Sequence, residues 1–335
     1  MTREAQVSVL GAGSWGTTMA SICSRRTPTL LWARRLELAE EIGSRHTNSD
    51  YLKDERLHEA LRATASLEEA VSAADVLVIG VPSHGVRAVL EAAAPFVRPW
   101  IPIVSLVKGL EQGTRKRMTE VIAETLPGHP AGMLTGPNLA HEIVQGYAAA
   151  AVLAMPDEAL ATALQELFRT QLFRVYTSHD VIGCEVAAAT KNVLAIAAGM
   201  AAGLGTGDNT RAMVVTRSLA EMTRLGIAMG GDPLTFAGLA GMGDVVATSF
   251  SPLSRNRTVG VELARGKRIE EITASMKMVA EGVKTASVVL ELAEDYGVDM
   301  PIVREVDGVL NHGRTAQEAY RGLMRIKPGS ERHPA

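Results

Sequence analysis

Only two cysteines, Cys23 and Cys184, occur in the 335 residues. That is too few for a disulfide-stapled fold and leaves both expected as small buried hydrophobes. Dense runs of Lys or Arg are also missing, and the formal net charge is −3, so the electrostatic footprint of a nucleic-acid-binding protein is absent. The longest apolar stretch, Val193 to Leu204, is rich in Ala and Gly and too short to cross a bilayer, so a buried helix is expected there and no integral membrane segment. The first apolar strand begins a few residues after Met1, which leaves no room for a signal peptide; the expectation is a cytoplasmic protein. The eight histidines are scattered, and neither His84 nor His141 has a partner at metal-ligand spacing, so no metal site is expected. No internal repeat or low-complexity tract is found. What remains is a chain 47% hydrophobic and 21% charged, the composition of a globular protein with ample core, at a length that suits two domains.

The most informative feature lies before residue 25. The apolar run Val7-Ser8-Val9-Leu10 leads through Gly11-Ala12-Gly13-Ser14-Trp15-Gly16 into Thr17-Thr18-Met19-Ala20. This reads as a strand, a G-x-G-x-x-G turn and a helix. In that arrangement Gly11 permits the tight turn, Gly13 lets a pyrophosphate approach the backbone, and Gly16 lets the helix pack close on the strand. The helix start then offers free N–H groups and a positive dipole end to phosphates. A plain glycine-rich turn with no ligand is the alternative reading.

From Val7 to about Phe173, β-rich runs alternate with helical stretches. Besides the first run, Thr29–Trp32, Val76–Val81, Ile103–Val107, Gly132–Leu134, Ala149–Leu153 and Phe173–Tyr176 are the expected strands. They are apolar throughout, as strands covered by helices on both faces are. The expected fold is therefore α/β: an N-terminal Rossmann-like, doubly wound, mostly parallel sheet with ligands at its carboxyl ends. After Asp180 the pattern turns helical, with Glu185–Leu204, Arg211–Met229, Ser254–Ala264 and Ala286–Tyr296 separated by glycine-rich turns at Gly203–Gly207, Gly230–Pro233 and Gly241–Gly243. The expected division is a dinucleotide-binding domain over 1–180, an all-helical substrate and catalytic domain over 181–327, and a frayed tail over 328–335.

Three further places carry chemistry. Arg34 and Arg35 follow the second strand, where an acid would grip an NAD ribose and an arginine would accommodate a 2′-phosphate; NADP(H) is favoured over NAD(H), with dual use left open. The alternative is a pair of solvated arginines. Lys191 stands with Asn192 in a strongly apolar helix, where burial and a nearby carboxylate together can hold a proton ready for transfer. Against that stands a lysine whose stem lies along the helix while its head reaches water. Gly241-Met242-Gly243-Asp244 sets one carboxylate in an apolar stretch, and Ser254-Arg255-Asn256-Arg257 follows. Ser254 is a good N-cap, and Arg255 and Asn256 in the first turn can bind a phosphate, unless the segment is only a capped, charged helix start.

Taken together, these segments resemble the bacterial NAD(P)-dependent glycerol-3-phosphate dehydrogenases over Val7 to about Leu323. Lys108-Gly109-Leu110-Glu111, Gly136-Pro137-Asn138-Leu139-Ala140-His141-Glu142, Asn209-Thr210-Arg211 and Glu281-Gly282 add to the match. The resemblance implies Ser14, Trp15, Arg34, Arg35, Lys108, Ala140, Arg255, Val279 and Glu281 around the cofactor. It implies Lys108, Gly136, Lys191, Asp244, Ser254, Arg255 and Asn256 around the substrate, with Lys191 as the catalytic lysine and Asp244 beside it. Three departures stand out: Arg25-Arg26-Thr27-Pro28 lacks a common Gly-His pair, Asn138 replaces Ser or Thr, and Ser249 replaces Cys.

The implied reaction is reversible reduction of dihydroxyacetone phosphate to sn-glycerol 3-phosphate, supplying glycerophospholipid synthesis, by a homodimer. Two alternatives stay open. One is a two-domain dehydrogenase of a β-hydroxy acid or ketopantoate, which would not need Ser254-Arg255-Asn256 for a phosphate. The other is a non-catalytic dinucleotide sensor, which would not need Lys191 with Asp244.

Overall fold

The structure is a computed structural model that describes residues 4–276, 280–327 and 329. Two compact units divide the chain: residues 1–111 and 116–185 form the first, residues 112–115 and 186–335 the second.

In the first unit eight strands are present: β1 (Val7–Leu10), β2 (Thr29–Trp32), β3 (Arg62–Thr64), β4 (Val76–Ile79), β5 (Ile103–Ser105), β6 (Ala131–Thr135), β7 (Ala149–Ala154) and β8 (Phe173–Ser178). Their helices are α1 (Ser14–Cys23), α2 (Leu36–Arg45), α3 (Ser49–Leu52), α4 (Leu67–Ser72), α5 (Val86–Ala93), α6 (Met118–Thr125), α7 (Ala140–Val144) and α8 (Glu158–Phe168). The sheet order is β3-β2-β1-β4-β5-β6-β7-β8, with the chain reversing direction of travel across the sheet between β1 and β4. Successive side chains of β1 part to opposite faces. Val7 and Val9 join a core with α1, α2 and α8, whereas Leu10 joins a second core with α4, α5 and α6. Burial on both faces is why the central strands are apolar, whereas the edge strand β8 alternates buried Phe173 and Val175 with exposed Arg174 and Tyr176, a departure from the expected apolar run.

A second strand departs from the sequence reading, and another is the exception that makes the sheet mostly, not wholly, parallel, as expected. The edge strand β3 was not expected, because Arg62-Ala63-Thr64 is short and has one exposed and two half-buried residues. And β7 runs antiparallel to β6. The five-residue α7 between them is too short to carry the chain back across the sheet, so β7 starts at the end where β6 stops. All other neighbouring strands pair parallel.

The second unit is helical. It begins within α9 (Val181–Gly203) and continues through α10 (Asp208–Ala228), α11 (Pro233–Ala237), α12 (Asp244–Phe250), α13 (Arg255–Ala264), α14 (Ile269–Ser275), α15 (Glu281–Asp295), α16 (Pro301–Asn311) and α17 (Ala316–Arg325). At 23 residues α9 is longer than the apolar stretch read from the sequence, and by length and composition alone it could cross a bilayer. Its most apolar window is 94% buried, as a core helix is. The expected glycine-rich break at Gly241–Gly243 is instead a π-helical turn over Leu239–Gly243 that runs directly into α12. Close helix packing aligns α13 with α9: a side-chain carbon on Gly260 would lie 2.1 Å from the Ile196 carbonyl oxygen. Most of the expected tail, like Val279, lies outside the described residues.

Both cysteines are buried free thiols, and burial raises their pKa values far above the ordinary thiol range.

Candidate active site

The first unit holds the glycine turn at the carboxyl end of β1. Gly11 has φ of 118°, and a side-chain carbon there would lie 2.7 Å from the Gly80 carbonyl carbon. On Gly16 the same carbon would meet the Gly11 oxygen at 2.0 Å, so only glycine lets α1 sit this close to β1. Gly13 is different. Nothing lies within 4 Å of where its side chain would be, and it is the N-cap of α1 with no side-chain cap. Open space above Gly13, at the positive dipole end of α1, is the cradle a pyrophosphate requires. The turn therefore fits a dinucleotide.

Tertiary structure supports this turn through a segment the sequence reading passed over. Asn48 is fully buried and its Nδ2 donates to the Ala12 carbonyl at 3.0 Å and to Thr17 Oγ1 at 2.8 Å. Ser14 Oγ donates to the Tyr51 carbonyl at 3.1 Å. The Trp15 ring packs edge-on against Phe173, with centroids 6.0 Å apart, so its side chain serves the core. Arg34 and Arg35 are exposed after β2, and Arg35 forms an ion pair with Asp50. At the carboxyl ends of β5 and β6, Lys108 Nζ donates to the Gly136 carbonyl at 2.7 Å. Gly136 has φ of 134°, which favours glycine, and its missing side chain leaves room against Ala150 and Ala151. Ala140 opens α7. The side-chain amide of Asn138 is buried with neither of its polar atoms hydrogen-bonded within the protein.

The second unit holds a buried ionic cluster. Lys191 on α9 is 6% exposed, and its Nζ donates to Asp244 Oδ1 at 2.8 Å and to Thr248 Oγ1 at 2.8 Å. Its head does not reach bulk water. Asp244, 1% exposed, stands where the π-helical turn passes into α12. Thr248, one turn on, donates to Asp244 Oδ1 at 3.1 Å, so its hydroxyl accepts from the lysine and donates to the aspartate. The spacing of four residues on one helix was the available signal for Thr248, and the sequence reading did not use it.

Beside this cluster, Ser254 caps α13, its Oγ accepting from Arg257 N at 3.2 Å. Asn256 Nδ2 donates to Asn192 Oδ1 at 2.9 Å, and Asn256 Oδ1 accepts from Gly282 N at 3.0 Å. One N–H of Asn256 remains for another partner. The chain of bonds ties α9, α13 and the start of α15 together. Crowding by protein atoms lowers the pKa of Arg255, and the nearby Glu281 carboxylate acts to raise it.

A sequence model of the NAD-dependent glycerol-3-phosphate dehydrogenase N-terminus matches residues 6–161, and one of the C-terminus matches residues 180–321. The chain belongs to this family. A glycerol-3-phosphate dehydrogenase [NAD(P)+] of Mycobacterium avium is 60% identical over 332 residues, covering 99% of this chain and 97% of its own. Another, of Sphingopyxis alaskensis, is 56% identical over 98% of this chain and 99% of its own. The crystal structure of glycerol-3-phosphate dehydrogenase from Coxiella burnetii superimposes with a TM-score of 0.92 at 33% identity, covering 96% of this chain and 99% of that one. The family match spans both units, so the glycine turn and the lysine cluster are parts of one kind of enzyme.

Proposed function

We propose that the chain reduces dihydroxyacetone phosphate to sn-glycerol 3-phosphate, reversibly, with NADPH or NADH, in the manner named for its relatives. The observation that carries this reading is Lys191: an ammonium buried in an apolar helix and held between Asp244 and Thr248. The first unit, through Gly11, Gly13, Ser14, Trp15 and Gly16, holds the dinucleotide, with Arg34 and Arg35 toward its adenosine end. When bound, the reduced nicotinamide supplies a hydride to C2. The alkoxide that develops there takes its proton from Lys191, and Lys191 takes it back in reverse. Asp244 balances the ammonium and, with Thr248, fixes the direction of its N–H bonds. Lys108, which donates to the Gly136 carbonyl, helps polarise the substrate carbonyl oxygen, with Gly136 among the residues around the substrate. Ser254, Arg255 and Asn256 at the start of α13 hold the phosphate, so that binding energy remote from C2 aligns the reacting carbon. Ala140, Val279 and Glu281 complete the cofactor surroundings.

The supporting assay is loss of NADPH absorbance with dihydroxyacetone phosphate, with NADH and unphosphorylated dihydroxyacetone in parallel. Turnover that requires the phosphate is expected. A protein that binds NADPH but reduces no dihydroxyacetone phosphate returns the argument to other two-domain dehydrogenases or to a sensor. On the same family likeness the enzyme is a cytoplasmic homodimer that supplies glycerophospholipid synthesis. Light scattering at twice the monomer mass is the expected result for the dimer.

A further inference from the structure

In NAD-using Rossmann domains an acid at the end of the second strand bonds the ribose hydroxyls, and this chain has Arg34 and Arg35 there instead. The tertiary structure brings a carboxylate to the same place from another element. Asp50, on α3, forms an ion pair with Arg35, the N-cap of α2. Both side chains are about half exposed, so the pair stays open to solvent and to an incoming anion.

The position of Asp50 is set by the glycine turn itself. Asn48, two residues before it, is fully buried and bonded to the Ala12 carbonyl and to Thr17 on α1. Tyr51, one residue after it, accepts from Ser14. These ties fix α3 to the phosphate-binding turn on both sides of Asp50, so its carboxylate belongs to the wall of the nucleotide site and is not carried on a loose loop. Glu37, in the first turn of α2, adds a second negative charge near Arg35.

We propose that Asp50 is a specificity-determining residue that holds Arg35 in competition with the 2′-phosphate, and so keeps NADH usable in a site whose two arginines would otherwise select NADPH. This rests on the dinucleotide-binding reading above. A 2′-phosphate reaching Arg35 must displace or share the Asp50 carboxylate, whereas a ribose hydroxyl leaves the ion pair intact. Arg34 then carries most of the attraction for the phosphate.

Equilibrium fluorescence titration with NADPH and with NADH tests this without requiring turnover, and steady-state kinetics with each cofactor follows. Exposed ion pairs are weak, so the expected effect of Asp50→Asn is about a three- to fivefold tighter binding of NADPH with no matching gain for NADH. The same shift should be found in the KM for NADPH, and it should shrink as salt is raised. In an Arg35→Gln background, Asp50→Asn should give no NADPH gain. Equal changes for the two cofactors, no change for either, or a full gain in the Arg35→Gln background each overturn the proposal while leaving the dehydrogenase reading standing. Failure of the wild-type protein to bind either dinucleotide overturns both. Asp50→Ser, which removes the charge with a smaller side chain, must reproduce the Asn result.

Discussion

Replacing Lys191 by Met keeps an unbranched side chain of similar length on α9 and deletes only the ammonium. Two separable losses should follow. The chemical loss is that of a general acid at C2, about 10²–10⁴-fold in kcat. The structural loss comes from Asp244, which is 1% exposed and would keep its charge without its cation. Breaking a buried pair in this way costs about 3–5 kcal/mol. Thr248 still donates to Asp244 Oδ1, which reduces that figure. A net destabilisation of about 2–4 kcal/mol is therefore expected. Adding Asp244→Asn removes the stranded charge, so the double variant should recover most of the stability and none of the turnover. The assay is urea unfolding of the single and double variants, beside kcat at saturating dihydroxyacetone phosphate and NADPH. A Lys191→Met enzyme that turns over within tenfold of wild type would falsify the assignment of the proton to this residue. If the double variant were as unstable as the single one, an uncompensated Asp244 charge would not be the source of the lost stability.

Three other outcomes are expected. Burial pushes the Glu221 carboxyl up to about 7, although it accepts from Ile302 N and Val303 N at the start of α16. The folded protein thus holds a proton there that the unfolded chain, with an ordinary glutamate, releases near pH 4.3. The contribution to stability is fully present below that pH and is lost as pH rises through 7, at most about 4 kcal/mol in all. Urea midpoints of wild type and Glu221→Gln between pH 5 and 8 should show this slope only in the wild type, and parallel profiles would refute it. Gly16→Ala would force a carbon to within 2.0 Å of the Gly11 oxygen, so the turn must open; NADPH titration should show at least tenfold weaker binding, and unaltered affinity would mean the turn does not touch the cofactor. Arg255→Leu should raise the KM for dihydroxyacetone phosphate by tenfold or more, since a charge-assisted hydrogen bond contributes about 1.5–3 kcal/mol, and an unchanged KM would remove Arg255 from the phosphate site.

Local rules were enough to read much of this protein. The strand, turn and helix over residues 7–23 follow from side-chain volume alone, because only glycine fits at 11 and 16. Six of the eight strands show as apolar runs, since a strand covered on both faces has no polar positions to spare, and β8 shows through its buried Phe173 and Val175. The run of apolar residues around Lys191 marked the ammonium as costly before any partner was known, and a Ser at 254 announced a helix start by its capping chemistry. Chain direction and partnership were not legible in that way. Whether β7 runs with or against β6 depends on the reach of a five-residue helix, and β3 exists only because β2 offers a free edge to a short polar segment. The partners of Lys191 come from 53 and 57 residues away, and those of Ala12 and Arg35 from a stretch, Asn48 to Asp50, with no periodicity or motif of its own. Sequence spacing reports what a residue needs, such as room, a cap or a counter-charge. Which group supplies it is decided when distant segments are packed into one volume, and there Asn48, Asp50 and Thr248 acquired their places.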